Sequence, residues 1–147
     1  MTNIPTFGEH VDGVEYTPRP GGYAVVCDRE GRIAVVRTPK GYFLPGGAVE
    51  DGESAEEASI RETLEETGLQ IKVLKSLGRA DELVYKKSQA RYFRKECEFY
   101  LAEVVSDAVE DSEPDLILEW TPVETTLQIL AHGSQAWAVE RMREPGQ

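Results

Sequence analysis

One stretch of the chain, Gly47 to Leu69, limits the folds open to it more than any other feature. The stretch holds eight carboxylates and a single cation, and it therefore carries −7 of the chain's net charge of −11. Ser54 has the side chain of a helix N-cap, Glu57 follows at the capping-box position, and Gly68 suits a helix C-terminus. The pattern predicts a strongly acidic helix from Ser54 to Thr67.

The predicted helix has two different faces. Glu62, Glu65 and Glu66 are spaced i, i+3 and i+4, so their carboxylates crowd one turn and repel one another by roughly 0.2–0.5 kcal/mol per pair. A bound Mg²⁺ or Mn²⁺, which prefers hard oxygen ligands, would relieve that repulsion. The other face carries the apolar pair Ile60 and Leu64, which is fit to pack on a core. The plainer alternative is an acidic face that water solvates.

The segment before the helix favours the metal interpretation. It ends in Gly46 and Gly47, and two successive glycines let the backbone approach a ligand closely. Ala55 and Ala58, on the carboxylate side of the helix, are small enough to leave room for that ligand. Together, the loop and the helix predict a site that handles phosphate groups through a metal ion.

The same residues resemble a known family signature. At the required spacing, its fixed positions are matched by Gly47, Glu53, Arg61, Glu62, Glu65, Glu66, Gly68 and Leu69, so the stretch is similar to the Nudix box. Thr63 departs from the pattern, which usually has Ile, Leu or Val at this packing position. A weaker likeness runs from Tyr23 to about Val123. The resemblance implies an α/β fold, with an α/β/α sandwich around a mixed β-sheet.

The resemblance also implies an activity and a set of site residues. Nudix hydrolases cleave a nucleoside diphosphate linked to another group, with Mg²⁺ or Mn²⁺ as cofactor. The implied metal ligands are Glu62, Glu65 and Glu66 with the backbone of Gly46, and the implied catalytic residues are Glu53, Arg61, Glu62, Glu65 and Glu66. Which glutamate acts as the base stays open, and Arg61 is expected to orient carboxylates. A distal acidic ligand is expected at Glu113, with Asp115 as second choice and a solvated acidic loop as the alternative.

The residues expected to bind the substrate are Arg37, Gly47, Tyr85, Lys87 and Arg91. Lys87 and Arg91 belong to a basic segment, Lys86 to Lys95, which has five cations and no acid in an otherwise acidic chain. This segment either grips a long phosphate chain or forms a solvated hairpin tip. Tyr85 stands sixteen residues past Leu69, an offset that resembles the diadenosine-polyphosphate hydrolases of the family. No proline stands at the offset associated with ADP-ribose hydrolases.

Dinucleoside polyphosphates are therefore the expected substrates. Nucleoside triphosphates, and nucleotide sugars or ADP-ribose, are the alternatives within the family. A non-catalytic nucleotide sensor is the alternative from another class, although such relatives usually lose box glutamates that are all present here.

Length and charge limit the remaining options. A chain of 147 residues fits one domain over 1–147, which would begin with an irregular arm over 1–20. No apolar run is long enough to span a membrane, which predicts a soluble cytoplasmic protein without a membrane partner. The net charge of −11 argues against general nucleic-acid binding, so the expected partner is a small-molecule nucleotide. A homodimer stays open.

The rest of the chain predicts alternating strands and helices. Strands are expected over 23–27 and 32–37, which form a hairpin, and over 71–78, 96–105 and 116–120. Short helices are expected after Pro122 and over 135–143.

Overall fold

A mixed sheet of eight strands, with helices on both faces, forms the described part of the chain. The computed structural model describes residues 3–107 and 115–144. The strands are β1 (Thr6–Phe7), β2 (Tyr16–Cys27), β3 (Ile33–Thr38), β4 (Gly41–Phe43), β5 (Gly46–Ala48), β6 (Leu69–Lys86), β7 (Arg91–Asp107) and β8 (Ile117–Thr121). The α-helices are α1 (Ala55–Thr67), α2 (Val123–Ile129) and α3 (Gly133–Arg143). Within the described ranges, none of the helices is long and apolar enough to cross a membrane.

Strand β2 lies at the centre of the sheet. The strands follow the order β1-β6-β7-β2-β3-β4, while β5 also pairs with β2 and β8 with β3. β2 runs parallel to β7 along its whole length, and β6 and β7 form a long antiparallel hairpin. The Pro20 carbonyl accepts a hydrogen bond from the Val49 N–H, on the side away from β7. Pro20, and Pro18 two residues earlier, therefore stand where the pairing with β7 needs no N–H.

Two apolar layers fill the space between the sheet and the helices. Tyr23 and Val25 belong to one layer, in which Trp137 of α3 is also packed. Ala24 belongs to the other layer, against which Ile60 of α1 packs. Successive residues of β2 thus face opposite helices, as the alternation of side chains along a strand requires. This arrangement confirms the predicted α/β/α sandwich.

Helix α1 begins and ends as its sequence predicts. The Ser54 hydroxyl accepts a hydrogen bond from the Glu57 N–H at 3.0 Å, and the Glu57 carboxylate accepts one from the Ser54 N–H at 2.9 Å. At the other end Gly68 adopts φ 79°, and its N–H donates to the Leu64 carbonyl. That left-handed conformation is the reason why a glycine ends the helix.

The strands are longer than the sequence predicts. β1 lies within the predicted irregular arm over 1–20 and β2 begins at Tyr16, so the prediction of an irregular arm is wrong for these segments. β6 and β7 extend well beyond 71–78 and 96–105. The early residues of β2 pair with β7, which is distant in sequence and which local patterns do not reveal, whereas the extra length of β6 pairs with β7 within the hairpin, up to Lys86 opposite Arg91.

Candidate active site

Gly22 allows α1 to rest directly on the sheet. A Cβ at Gly22 would lie 1.9 Å from the Ala55 carbonyl oxygen and 3.1 Å from the Ser59 nitrogen, so the backbones of α1 and β2 are in contact. Ala58, on the same helix, is fully buried. Ala58 therefore serves close packing of the helix, which corrects the expectation that it leaves room for a ligand.

This packing brings Glu62 and Glu66 to the two glycines of β5. Glu66 Oε1 accepts a hydrogen bond from the Gly46 N–H at 3.1 Å. Gly47 makes space for Glu62, because a Cβ there would lie only 2.4 Å from Glu62 Oε2. Burial, followed by nearby anions that include Glu66 and Glu62, raises the pKa of the Tyr23 hydroxyl. The two carboxylates thus lie against a glycine backbone and beside a neutral tyrosine.

Arg61 gathers further carboxylates next to this pair. Its Nε and Nη2 donate to both oxygens of Glu53, at 2.7 and 3.0 Å, in a bidentate ion pair. Its Nη1 lies 3.3 Å from Glu65 and 3.5 Å from Glu62. The hydrogen bonds from Arg61, assisted by the Glu50 N–H, lower the pKa of Glu53. This geometry suits the orienting role expected of Arg61.

The glutamates have the right chemistry for a divalent cation, although they do not enclose one. Across residues 3–107 and 115–144, no three Asp, Glu, His or Cys side chains converge closely enough to hold a metal ion. Glu65 is half exposed, and both it and Glu62 lie within salt-bridge distance of Arg61. Such pairing is expected of neighbouring carboxylates that repel one another. Hard carboxylate oxygens beside a glycine backbone are nevertheless the donors that Mg²⁺ prefers, so the residues fit.

A cavity of about 230 Å³ opens beside Glu66. Its charged lining residues are Glu66, Arg19, Lys86 and Lys95, and its aromatic and amide lining residues are Tyr23, Phe43 and Gln135. Gln135 is held in place from α3, because its Oε1 accepts the Leu44 N–H at 2.7 Å. Aromatic rings combined with a few convergent polar groups are typical of a small-molecule site.

Three cations, Arg19, Lys86 and Lys95, line the cavity and are here termed the basic wall. Arg19 of β2 stands directly opposite Lys95 of β7 in the parallel register. Burial lowers the pKa of both lysines, and Arg19 contributes to both shifts, while Cys97 and Glu82 oppose the shift at Lys95. The cavity therefore has a carboxylate and a cluster of cations in its lining.

Arg37 lies away from this cavity, and Glu113 lies outside the described ranges. The guanidinium of Arg37 pairs with Glu119 at 2.6 Å, across β3 and β8, and Arg37 is absent from the cavity lining. Glu113 falls in the segment 108–114, outside the described residues. Asp115, the second choice for a distal ligand, is exposed.

The other substrate-binding predictions concern the tip of the β6–β7 hairpin. Tyr85 is half exposed, and its ring centroid lies 4.8 Å from that of Tyr92. Lys87, the first residue of a short 3₁₀ turn, and Arg91, the first residue of β7, are exposed. None of the three lines the cavity, whereas Gly47 does.

Sequence reasoning missed Arg19, Tyr23, Phe43 and Gln135 as lining residues. Arg19 falls within the predicted irregular arm, whereas a strand that begins at Tyr16 puts Arg19 and Tyr23 on one face through its period of two. Gln135 gave no local signal, because its contact with Leu44 spans 91 positions of sequence.

Comparison with known proteins is consistent with these features. The NUDIX domain model matches residues 17–141. A Mycobacterium tuberculosis (strain CDC 1551 / Oshkosh) protein, provisionally named mutator protein MutT4, is 30% identical over 129 residues, which cover 85% of this chain and 48% of that protein. A Bacillus subtilis (strain 168) protein, provisionally named 8-oxo-dGTP diphosphatase YtkD, is 41% identical over 68 residues, which cover 46% of this chain and 43% of that protein. The aligned part thus spans about half the length of these curated relatives.

Solved structures share the fold. A MutT protein from Methanosarcina mazei Go1 aligns with a TM-score of 0.71 at 21% identity, over 92% of this chain and 100% of that chain. At this level of identity the similarity concerns the arrangement of helices and strands.

Proposed function

Because this chain belongs to the NUDIX domain family, we propose that it is a pyrophosphohydrolase that cleaves a nucleoside diphosphate linked to another group. Members of the family generally require a divalent metal ion, and Mg²⁺ or Mn²⁺ is the proposed cofactor. The observation that carries the proposal is the position of Glu62 and Glu66 against Gly46 and Gly47 at the edge of the cavity. Oxygen ligands would thus stand next to bound phosphates.

In this proposal Glu62, Glu65 and Glu66 hold the metal ion together with the backbone of Gly46. A bound Mg²⁺ or Mn²⁺ supplies Lewis-acid activation of water and offsets charge on the phosphates. Glu65, which is half exposed, has the freedom to turn from Arg61 towards its neighbours. The distal ligand proposed is Glu113, on the family resemblance of an acidic residue ahead of the last core strand.

The side chains of the site have two further roles, which are to position a carboxylate and to accept a proton from water. Arg61 fixes Glu53 through two hydrogen bonds, and the lowered pKa of Glu53 keeps that carboxylate ionised at neutral pH. One ionised glutamate of the site takes a proton from the attacking water. The water oxygen bonds to phosphorus while the bridging P–O bond breaks, and the bridging oxygen leaves with the second phosphate.

Dinucleoside polyphosphates are the substrates proposed first. The support is the basic wall, because a long phosphate chain needs cations that the acidic remainder of the chain does not provide. Tyr23 and Phe43 add aromatic surface for a base. Nucleoside triphosphates are the second candidate, favoured by the provisional name of the Bacillus subtilis relative.

A substrate panel tests the proposal. The purified protein is incubated with diadenosine tetraphosphate, 8-oxo-dGTP, dGTP and ADP-ribose, each with Mg²⁺, Mn²⁺ or Ca²⁺, and the products are identified by mass spectrometry. Glu62→Gln is expected to lose turnover while it keeps its fold. Glu56→Gln is the matched control, because Glu56 is an exposed carboxylate on the same helix.

Two outcomes would contradict the proposal. If no compound of the panel is cleaved with any metal while nucleotides bind, the chain is a nucleotide sensor. If Glu62→Gln and Glu56→Gln hydrolyse substrate equally fast, the carboxylates at the glycine loop are not the metal site.

A further inference from the structure

The basic wall has an unfavourable arrangement of charge. Arg19 and Lys95 are direct partners on neighbouring strands, and like charges directly opposite in a sheet are destabilising. Lys86 adds a third cation to the same cavity lining. The chain has 27 acidic residues, more than enough to neutralise such a cluster.

In the described ranges only Glu82 offsets part of this charge, since it counteracts the lowering of the pKa of Lys95. Among residues 3–107 and 115–144, no carboxylate forms a salt bridge with Arg19, Lys86 or Lys95. Glu82 stands opposite Lys95 on β6, but its Oε1 accepts the Ser134 N–H at the start of α3, at 3.0 Å. Arg19 instead lies over the ring of Phe93, with 4.2 Å from its guanidinium carbon to the ring centroid.

The lysines are also partly withdrawn from water. Burial is the main cause of the lowered pKa of Lys86 and of Lys95, and Arg19 contributes to both. Grouping and partly burying three cations costs free energy that an anionic ligand would offset. The exposed cations Lys87 and Arg91 at the hairpin tip are not buried in this way.

We propose that Arg19, Lys86 and Lys95 form an anion subsite, which binds a phosphate group beyond the anhydride that is cleaved. The inference rests on the proposed function and deepens it, since Glu66 lines the same cavity. It assigns the substrate class: a compound with at least three phosphate groups, such as a dinucleoside polyphosphate or a nucleoside triphosphate. A compound with two phosphates, such as ADP-ribose, leaves the subsite empty.

Binding of inorganic tripolyphosphate tests the subsite without turnover. Affinity is measured by isothermal titration calorimetry, in buffer freed of divalent cations, for the wild type and for Arg19→Gln, Lys86→Gln and Lys95→Gln. Each substitution is expected to weaken binding roughly 10- to 100-fold, the range for loss of a charge-assisted hydrogen bond. Lys72→Gln, which removes an exposed cation from β6, is the matched control and should bind like the wild type.

Three controls keep the test decisive. Circular dichroism identifies any variant that fails to fold, and Lys86→Gln, at the end of β6, still tests the subsite if the substitution at the more buried Lys95 unfolds the protein. Added NaCl should weaken binding more in the wild type than in the variants, because salt screens the charges. Equal affinity of the wild type and all three variants, or no binding to the wild type, would overturn the proposal.

Glu66→Gln separates this proposal from that of the pyrophosphohydrolase. It should lose turnover but keep its affinity for tripolyphosphate. If the wild type hydrolyses no substrate, but its binding of tripolyphosphate is weakened by the three substitutions, only the enzymatic proposal is contradicted. If the wild type hydrolyses substrate, but none of the three substitutions weakens binding of tripolyphosphate, only the subsite proposal is contradicted.

Turnover supplies the second readout. The ratio of kcat/KM for diadenosine tetraphosphate to that for ADP-ribose should fall roughly tenfold or more in Lys86→Gln. The same ratio is measured for the double variant Lys87→Gln/Arg91→Gln. A larger fall from this exposed tip than from the wall would assign phosphate recognition to the tip and contradict the subsite.

Discussion

The substitution Gly47→Ala should displace the Glu62 carboxylate, and so lower the rate of hydrolysis, without lowering the stability of the fold. The added Cβ would lie 2.4 Å from Glu62 Oε2 and 2.6 Å from Glu62 Cδ. Gly47 is not among the glycines with positive φ, so alanine fits its backbone. The atoms that must give way are the end of a flexible side chain, which means that Glu62 moves and the sheet does not.

The size of the displacement follows from the contact. An ordinary van der Waals contact begins near 3.4 Å, so the carboxylate must shift by about 1 Å. A misplacement of about 1 Å in a catalytic group costs roughly 10²-fold in rate, or about 2.7 kcal/mol. The free energy of unfolding should hardly change, since replacing glycine at a compatible position stabilises by about 0.4–1 kcal/mol and offsets the small cost of moving Glu62.

Gly22→Ala is the contrasting variant. Its Cβ would meet the backbone of α1, 1.9 Å from the Ala55 carbonyl oxygen, and a helix cannot yield as a side chain does. Overpacking of this kind costs roughly 1–3 kcal/mol or more, which lowers Tm by several degrees. Turnover at limiting Mg²⁺ and thermal unfolding are measured for both variants. Wild-type kcat/KM in Gly47→Ala, or a Tm loss equal to that of Gly22→Ala, would refute the reasoning.

Three further predictions follow from the same contacts. Saturating Mg²⁺ should raise Tm by about 5–10 °C, because it binds only the folded state, and this rise should be smaller in Glu62→Gln. A Tm that changes with neither Mg²⁺ nor Mn²⁺ would count against the site. Glu53 has a lowered pKa in the folded state, so its ion pair with Arg61 stabilises the fold at pH values above the unfolded pKa of about 4.3, and this stabilisation is lost as the pH falls through the lower folded pKa. The Tm of Glu53→Gln should therefore fall less steeply with decreasing pH than the Tm of the wild type. Parallel curves of Tm against pH would contradict this. Thr63 is buried, and its hydroxyl has no hydrogen-bond partner in the described part of the chain. Thr63→Val should therefore raise the free energy of unfolding, measured in urea, by about 1 kcal/mol. A lower free energy of unfolding would mean that the hydroxyl has a partner.

The sequence predicts α1 accurately because the helix depends on neighbours in the chain. Ser54, Glu57 and Gly68 determine its ends through local hydrogen bonds and one left-handed residue. The parallel pairing of β2 with β7 depends instead on a partner far away in sequence, as between Tyr16 and Tyr92. Local patterns do not predict the start of β2 at Tyr16 for that reason, since Pro18 and Pro20 locally favour irregular structure and only the side facing away from β7 accommodates them.

The candidate site divides in the same way. Glu62, Glu65 and Glu66 share one helical turn, so their proximity can be read from spacing alone. The cavity lining brings together Arg19 of β2 and Lys95 of β7, and no local pattern relates the two. The basic segment was recognised from composition, but its cavity-lining members are Lys86 and Lys95 rather than the residues at its tip.

The most direct test of a metal-dependent site at Glu66 is the Mg²⁺ dependence of turnover. The initial rate is measured against Mg²⁺ concentration for the wild type, Glu66→Gln and the control Glu56→Gln, with the best substrate of the panel. The account predicts saturable activation for the wild type and Glu56→Gln, and for Glu66→Gln a rate at low Mg²⁺ reduced roughly 10- to 100-fold. A Glu66→Gln protein that matches the wild type at low Mg²⁺ would contradict it.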